Sequence, residues 1–228
     1  MRYKSGKCIY CRIWKKELTV DHVPPKSIFP KPRPNNLISV PCCQPCNQKF
    51  SKDDEYFKLI LTMRYDTYES TSAKNNWPSV LRSLRRKNAK GLQKSIFGSM
   101  KAVNIVTPSG IFLGESATYQ IDYSRVANVI ERIIKGIHFK KKNETISKEY
   151  DIMIFPLVDY ERYTSEQKEV FIDLISRIKK SDIMTIGRDV FSYNYRSFDD
   201  DQGAFGIYMT FFKYVPFLAF TARRETTC

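Results

Sequence analysis

Apolar residues recur along this chain first at short β spacing, then at helical spacing, and finally in dense aromatic runs. Leu18-Thr19-Val20 and Leu37-Ile38-Ser39-Val40 are short β-like runs separated by a proline-rich loop, which predicts a long-looped hairpin. Ser51 followed by Asp53, Asp54 and Glu55 reads as a helix start, a hydroxyl cap with acids in the first turn. Phe57, Ile60, Leu61 and Met63 carry that helix to about residue 65 or 68. Residues 66 to 77 read as a polar connector, and a second helix is expected from Pro78 to about Gln93, with Val80, Leu81 and Leu84 on one face. Pro108-Ser109-Gly110 marks a turn between extended runs at 103–106 and 111–113. Val126, Val129, Ile130, Ile133 and Ile134 have helical period over residues 123–137, ending near Gly136. A buried strand is expected at 152–158. Thr164 with Gln167 starts a further helix through Phe171, Leu174 and Ile178, and aromatic strands fill Met184 to Thr221. There is no internal repeat. The fold class is α+β, with a small module at 1–66, a connector at 67–77 and a larger body at 78–228, of ordinary domain size.

The chain has 228 residues, 42% hydrophobic and 27% charged, the composition of a globular protein and not of a disordered one. Its formal net charge of +14 changes the picture, because it points to an anionic partner. Nucleic acid comes first, since clustered Lys and Arg displace condensed counterions from phosphates. A membrane surface could use the same charge. The longest apolar stretch, Ala204 to Phe220, is broken by Lys213 and Pro216, so no membrane span is expected. The first residues carry no apolar run of the kind a secretory leader needs, which leads us to expect a cytoplasmic protein. There, cysteines at metal spacing bind metal more often than they pair as disulfides.

Five of the six cysteines lie between Cys8 and Cys46. Cys8-Ile9-Tyr10-Cys11 and Cys43-Gln44-Pro45-Cys46 are two Cys-x-x-Cys knuckles, each able to turn two thiolates onto one ion. Together they complete a four-cysteine site for structural Zn²⁺. Cys42 is out of step with its knuckle and Cys228 is terminal, so both are taken as bystanders.

Between the knuckles stand Asp21-His22-Val23-Pro24-Pro25-Lys26 and Asn36-Leu37-Ile38, and Asn47 follows the last cysteine. Phosphodiester hydrolysis needs a base for water and a cation for the phosphate and leaving oxygen. A histidine beside a carboxylate offers both. These elements, in this order from Cys8 to about Phe57, resemble the HNH branch of the His-Me finger (ββα-metal) nucleases. The resemblance implies an N-terminal ββα-metal module followed by a mixed α+β domain. It implies that His22 is the general base, that Asn36 fixes the loop that aims it, and that Asp21 and Asn47 hold the catalytic metal. The last position is more often histidine in that family. The His-Asn-Asn variant is similar to junction-resolving nucleases of phages, which also carry the double clamp. An all-oxygen pair at Asp21 and Asn47 suits Mg²⁺ or Mn²⁺.

From Lys74 to Lys101 the chain has eight basic residues and no acid. Arg82, Arg85 and Arg86 fall at i, i+3, i+4 spacing on the expected helix, and with Lys87 they form a candidate phosphate-tracking face. Lys26, Lys31 and Arg33 are candidates for backbone contact near the cut. His138 stands where a helix is expected to end and suits a cation there. The expected activity is endonuclease cleavage of DNA, ahead of RNA. The alternatives are a zinc-dependent nucleic-acid-binding protein without chemistry and an RNA-directed nuclease. A homodimer and a larger defence complex both stay open.

Overall fold

A computed structural model of the chain describes residues 5–198, 201 and 203–224. Strands β1 (Gly6–Lys7) and β2 (Trp14–Lys15) pair around the first knuckle. The expected hairpin forms as β3 (Thr19–Val23) and β4 (Ile38–Cys42), antiparallel, with Asp21 opposite Val40 and His22 opposite Ser39. Alternation along β3 buries Asp21 and Val23 and leaves His22 half-buried.

Helix α1 (Gln44–Met63) starts seven residues before Ser51, where the sequence pattern placed it. Pro45, at the first helical turn, has the φ a helix needs and no N–H to lose. Cys43 is the extended cap residue, so the second knuckle runs directly into the helix. Asp53, Asp54 and Glu55 therefore lie mid-helix, and they face arginines instead of a helix dipole.

The expected connector is also partly helical. The Ser70 hydroxyl accepts the Ala73 N–H at 3.2 Å and starts α2 (Thr71–Leu84), which contains Pro78 in its interior. The helix expected from 78 to 93 is two helices, because residues 85–89 turn with Ala89 N–H on the Arg86 carbonyl at 3.0 Å. Helix α3 (Lys90–Phe97) follows. Strands β5 (Lys101–Val106) and β6 (Phe112–Thr118) form a separate two-stranded sheet.

Helix α4 (Tyr123–Lys142) is capped by Asp122, whose carboxylate accepts the Ser124 N–H at 3.1 Å. It runs past Gly136 and stops at Asn143, which takes the left-handed conformation (φ 57°). Gly136 is there for packing: a Cβ at that position would lie 2.5 Å from Val23 Cγ2. Strand β7 (Tyr150–Pro156) starts two residues before the expected run and ends where a 3-10 turn takes Leu157 and Val158, while helix α5 (Ser165–Ile178) has the expected Thr164–Gln167 capping box. Strands β8 (Ile183–Ile186), β9 (Phe191–Ser197), β10 (Phe205–Phe211) and β11 (Val215–Arg223) close the chain. The antiparallel sheet runs β7-β11-β10-β9-β8.

One apolar cluster joins Val23, Val40, Phe57 and Leu61 to Ile130, Ile133 and Ile137 of α4 and to Phe191 and Phe211 of the sheet. The N-terminal hairpin and the body thus bury their faces against the same helix. No helix among the described residues is long and apolar enough to cross a membrane.

His138 is inside α4, 6% exposed, stacked on Phe205 at 4.6 Å with Nδ1 3.1 Å from the Tyr195 hydroxyl. It is a core ring and not a helix-terminal cation, since burial lowers its pKa from 6.5. The unfolded chain therefore takes up this proton first as pH falls. Stability is flat in this respect above about pH 6.5 and declines below it until the lower folded pKa is passed. His138→Gln should flatten that acid decline in urea unfolding between about pH 7 and 5. An unchanged slope would assign the decline to other groups.

Candidate active site

The two knuckles meet because β1–β2 folds the first beside the start of α1, which carries the second. The four Sγ atoms of Cys8, Cys11, Cys43 and Cys46 lie within 4.8 Å of one another, and Cys11 and Cys43 are 3.8 Å apart. A tetrahedral ion with metal–sulfur bonds of about 2.3 Å sets its sulfurs about 3.8 Å apart, so the cluster fits a metal. It does not fit a disulfide, whose sulfurs lie about 2.05 Å apart. Cys42 is buried outside the cluster and directs its thiol to the Cys43 carbonyl at 3.3 Å. The neighbouring Cys8 and burial push that thiol well up, so it stays protonated. Cys228 lies outside the described residues.

Asp21 and His22 are neighbours on β3 with opposite faces. The Asp21 Oδ2 atom accepts the Tyr10 hydroxyl at 2.6 Å and lies 3.5 Å from Arg132 Nε, while Oδ1 accepts the His22 N–H at 2.9 Å. Burial raises the Tyr10 pKa, and Asp21 adds to that, so Tyr10 remains a donor. His22 Nδ1 is 3.2 Å from Ser39 Oγ on β4, which leaves Nε2 as the unengaged ring nitrogen. Burial first, then the charge of Lys26, lowers the His22 pKa from 6.5, with Asp21 opposing; the imidazole is neutral near pH 7. Asn47, in the first turn of α1, donates from Nδ2 to Thr19 Oγ1 at 3.2 Å and to the Val20 carbonyl at 3.3 Å. Both donors are thereby turned to the strand, and Oδ1 is left as an acceptor.

Asp21, His22 and Asn47 line one cleft of about 860 Å³. Lys26 lies on it too, and Arg33 ties to the Lys26 carbonyl at 3.1 Å. Asp53, Asp54 and Glu55 of α1, Lys58, Arg86 and Arg125 line the same cleft. Asp21 and Asn47 both carry oxygen donors and both line this cavity, and oxygen is the donor type a hard divalent cation takes.

Other candidates fall elsewhere. Asn36 is exposed and donates to the Thr185 carbonyl at 3.0 Å, so it anchors its loop to β8 and does not line the cleft. Lys31 lines a separate pocket with Phe29 and Arg188. Arg82, Arg85 and Lys87 are exposed outside the cleft wall. They do not share a continuous helix face with Arg86, because α2 ends at Leu84. Of that set only Arg86 enters the cleft, paired with Glu55.

The pattern missed Tyr10, Ser39, Lys58 and above all Arg132. Arg132 is 2% exposed, pairs with Asp54, approaches Asp21 and lies over the Phe50 ring at 4.5 Å. Burial pushes the Asp54 carboxyl up to about 6 even with Arg132 beside it. A charged residue inside the apolar stripe Val129-Ile130-Ile133 was the available signal.

This ββα arrangement, with its clamp and its cleft, is where comparison with known families is informative. Residues 8–58 match the HNH endonuclease family. The match covers the hairpin, both knuckles and the cleft-facing half of α1, and supports a nuclease-type enzyme at the family level. No curated protein and no solved structure gives a match to the chain.

The clamp of the HNH segment makes a direct prediction. Elemental analysis of unchelated protein should find one tightly held metal ion per chain, zinc by its donor chemistry. Cys43→Ser should lose the ion and unfold β1–β4, because structural metal binding supplies on the order of 10 kcal/mol of folding free energy. A metal-free but folded wild type would contradict the clamp.

Proposed function

We propose that this protein is a divalent-metal-dependent endonuclease that hydrolyses phosphodiester bonds in DNA. The carrying observation is the cleft itself. A neutral, half-buried imidazole anchored through Nδ1 shares it with two oxygen ligands on adjacent elements. A module that only bound nucleic acid would have no use for that combination.

In this reading His22 Nε2 takes the proton from the attacking water, and Ser39 holds the ring while it does so. Asp21 Oδ and Asn47 Oδ1 hold Mg²⁺ or Mn²⁺, and the four cysteines hold structural Zn²⁺ outside the chemistry. The bound cation would neutralise charge on the scissile phosphate and the leaving oxygen. Tyr10 and Arg132 keep the Asp21 carboxylate in place. Lys26 and Arg33 favour an anionic strand beside His22. The +14 net charge supports a polyanionic substrate.

His22→Ala separates catalysis from fold. It should preserve bound zinc, thermal stability and DNA affinity while lowering Mg²⁺- or Mn²⁺-dependent cleavage of plasmid by about 10²–10⁴-fold. Asn47→Ala should also be inactive but should recover in part at high Mn²⁺, because a water can replace a neutral ligand. Near-wild-type cleavage by His22→Ala would remove the assignment. Cleavage of RNA with DNA left intact would redirect the substrate.

A further inference from the structure

The cleft also holds a buried cation that no carboxylate contacts directly. Lys58 lies mid-helix on α1, is 7% exposed, and lines the cleft. Its ammonium donates to Ser79 Oγ at 2.7 Å. An ammonium has three N–H groups, and the serine takes one. Among the described residues no carboxylate lies within 4.0 Å of it. Glu55, the acid that influences it, is ion-paired to Arg86. Burial lowers the Lys58 pKa, Glu55 opposes this, and the charges of Arg86, Arg82 and Arg33 lower it further. Burying a charge without a partner is costly, and the cost is relieved if an anion comes to it.

A second feature of the same cleft points the same way. Helix α3 begins at Ala89 with no side-chain cap and no acid in its first turn. Its first residues, with Asn88, line the same cavity. A helix N-terminus presents free N–H groups and partial positive charge, and anions bind there. Gly91, second in this helix, would place a Cβ in open space.

We infer that Lys58, Arg86 and the uncapped N-terminus of α3 form a subsite for a non-scissile phosphate of the bound nucleic-acid strand. The inference rests on the nuclease reading for the identity of the strand, but it concerns residues other than Asp21, His22 and Asn47. A strand crossing the cleft is then held at two points, the cut phosphate beside β3 and another phosphate beside α3. The substrate class is an oligonucleotide long enough to span the cavity, not a small phosphodiester.

The test is binding of a fluorescein-labelled DNA duplex of about 16 base pairs to the full chain, with no Mg²⁺ or Mn²⁺ added, across a salt series. Leaving out Mg²⁺ and Mn²⁺ prevents turnover without a chelator that would strip the cysteine clamp, so the result does not depend on whether the protein cuts. Lys58→Gln should weaken binding about eightfold at 0.1 M salt and reduce the slope of log affinity against log salt by about 0.9, one phosphate contact on duplex DNA. Lys58 is buried, so Gly91→Asp provides a variant that does not disturb α1. An acid in the first turn favours the helix and meets no neighbour, so its melting temperature should be at or above wild type. It should nevertheless lose at least as much affinity as Lys58→Gln, because a carboxylate then occupies the anion site. Wild-type affinity and slope in both variants would overturn the subsite, as would a loss of affinity with no change in slope. Inactive protein with these binding losses intact would fault the nuclease reading and leave the subsite standing.

Discussion

Burying a guanidinium costs several kcal/mol unless carboxylates meet it, and the fold meets Arg132 from two directions. Arg132 comes from α4 in the body. Asp21 comes from the hairpin strand that carries His22, and Asp54 from the middle of α1. Tyr10 bonds Oδ2 of Asp21, the same oxygen that faces Arg132, and Phe50 lies against the guanidinium, so water is kept from the group. Removing any one member would leave another buried charge or donor without its partner. The three elements therefore have one joint arrangement, and the position of His22 follows from it.

Two clamps act on the same hairpin from opposite ends. The cysteine cluster fixes the Thr19 and Cys42 end to the start of α1. The α4 helix presses Gly136 onto Val23 at the other end, one residue after His22. Either alone would leave the strand free to shift, and a shift by one residue would exchange the faces of Asp21 and His22. The proposed nuclease reading requires both residues to stay where they are, His22 in the cleft and Asp21 between the cleft and Arg132. The metal clamp belongs to the HNH segment, whereas the arginine clamp depends on residues beyond 58, where the family match ends.

The cluster of cysteines, the hairpin and the cleft-facing Asp21, His22 and Asn47 were legible because each is a short-range pattern. Two thiols three apart, a strand ending in Asp-His and an asparagine after a cysteine are fixed by local spacing. What escaped was the role of long-range charge. Asp53-Asp54-Glu55 resembles a helix start, and only the fold shows that Arg125, Arg132 and Arg86 stand across from them. The early start of α1 was hidden for a related reason, since Pro45 and the knuckle set it and not a hydroxyl cap. The Arg82–Lys87 run was grouped as one face on helical period, but the turn at 85–89 splits it and sends Arg86 alone into the cleft. The Asn36 anchor reaches a strand 149 residues away, a distance at which no local pattern speaks.

The dependence of the site on α4 is tested most directly by urea unfolding of Arg132→Met, followed with a probe in the hairpin and a probe in the five-stranded sheet. The buried pairs predict a loss of about 3–5 kcal/mol, seen equally and in a single transition by both probes, because Asp21 and Asp54 would be left uncompensated. A variant within about 0.5 kcal/mol of wild type would contradict it, as would a hairpin that melts at its own denaturant concentration while the sheet is unchanged.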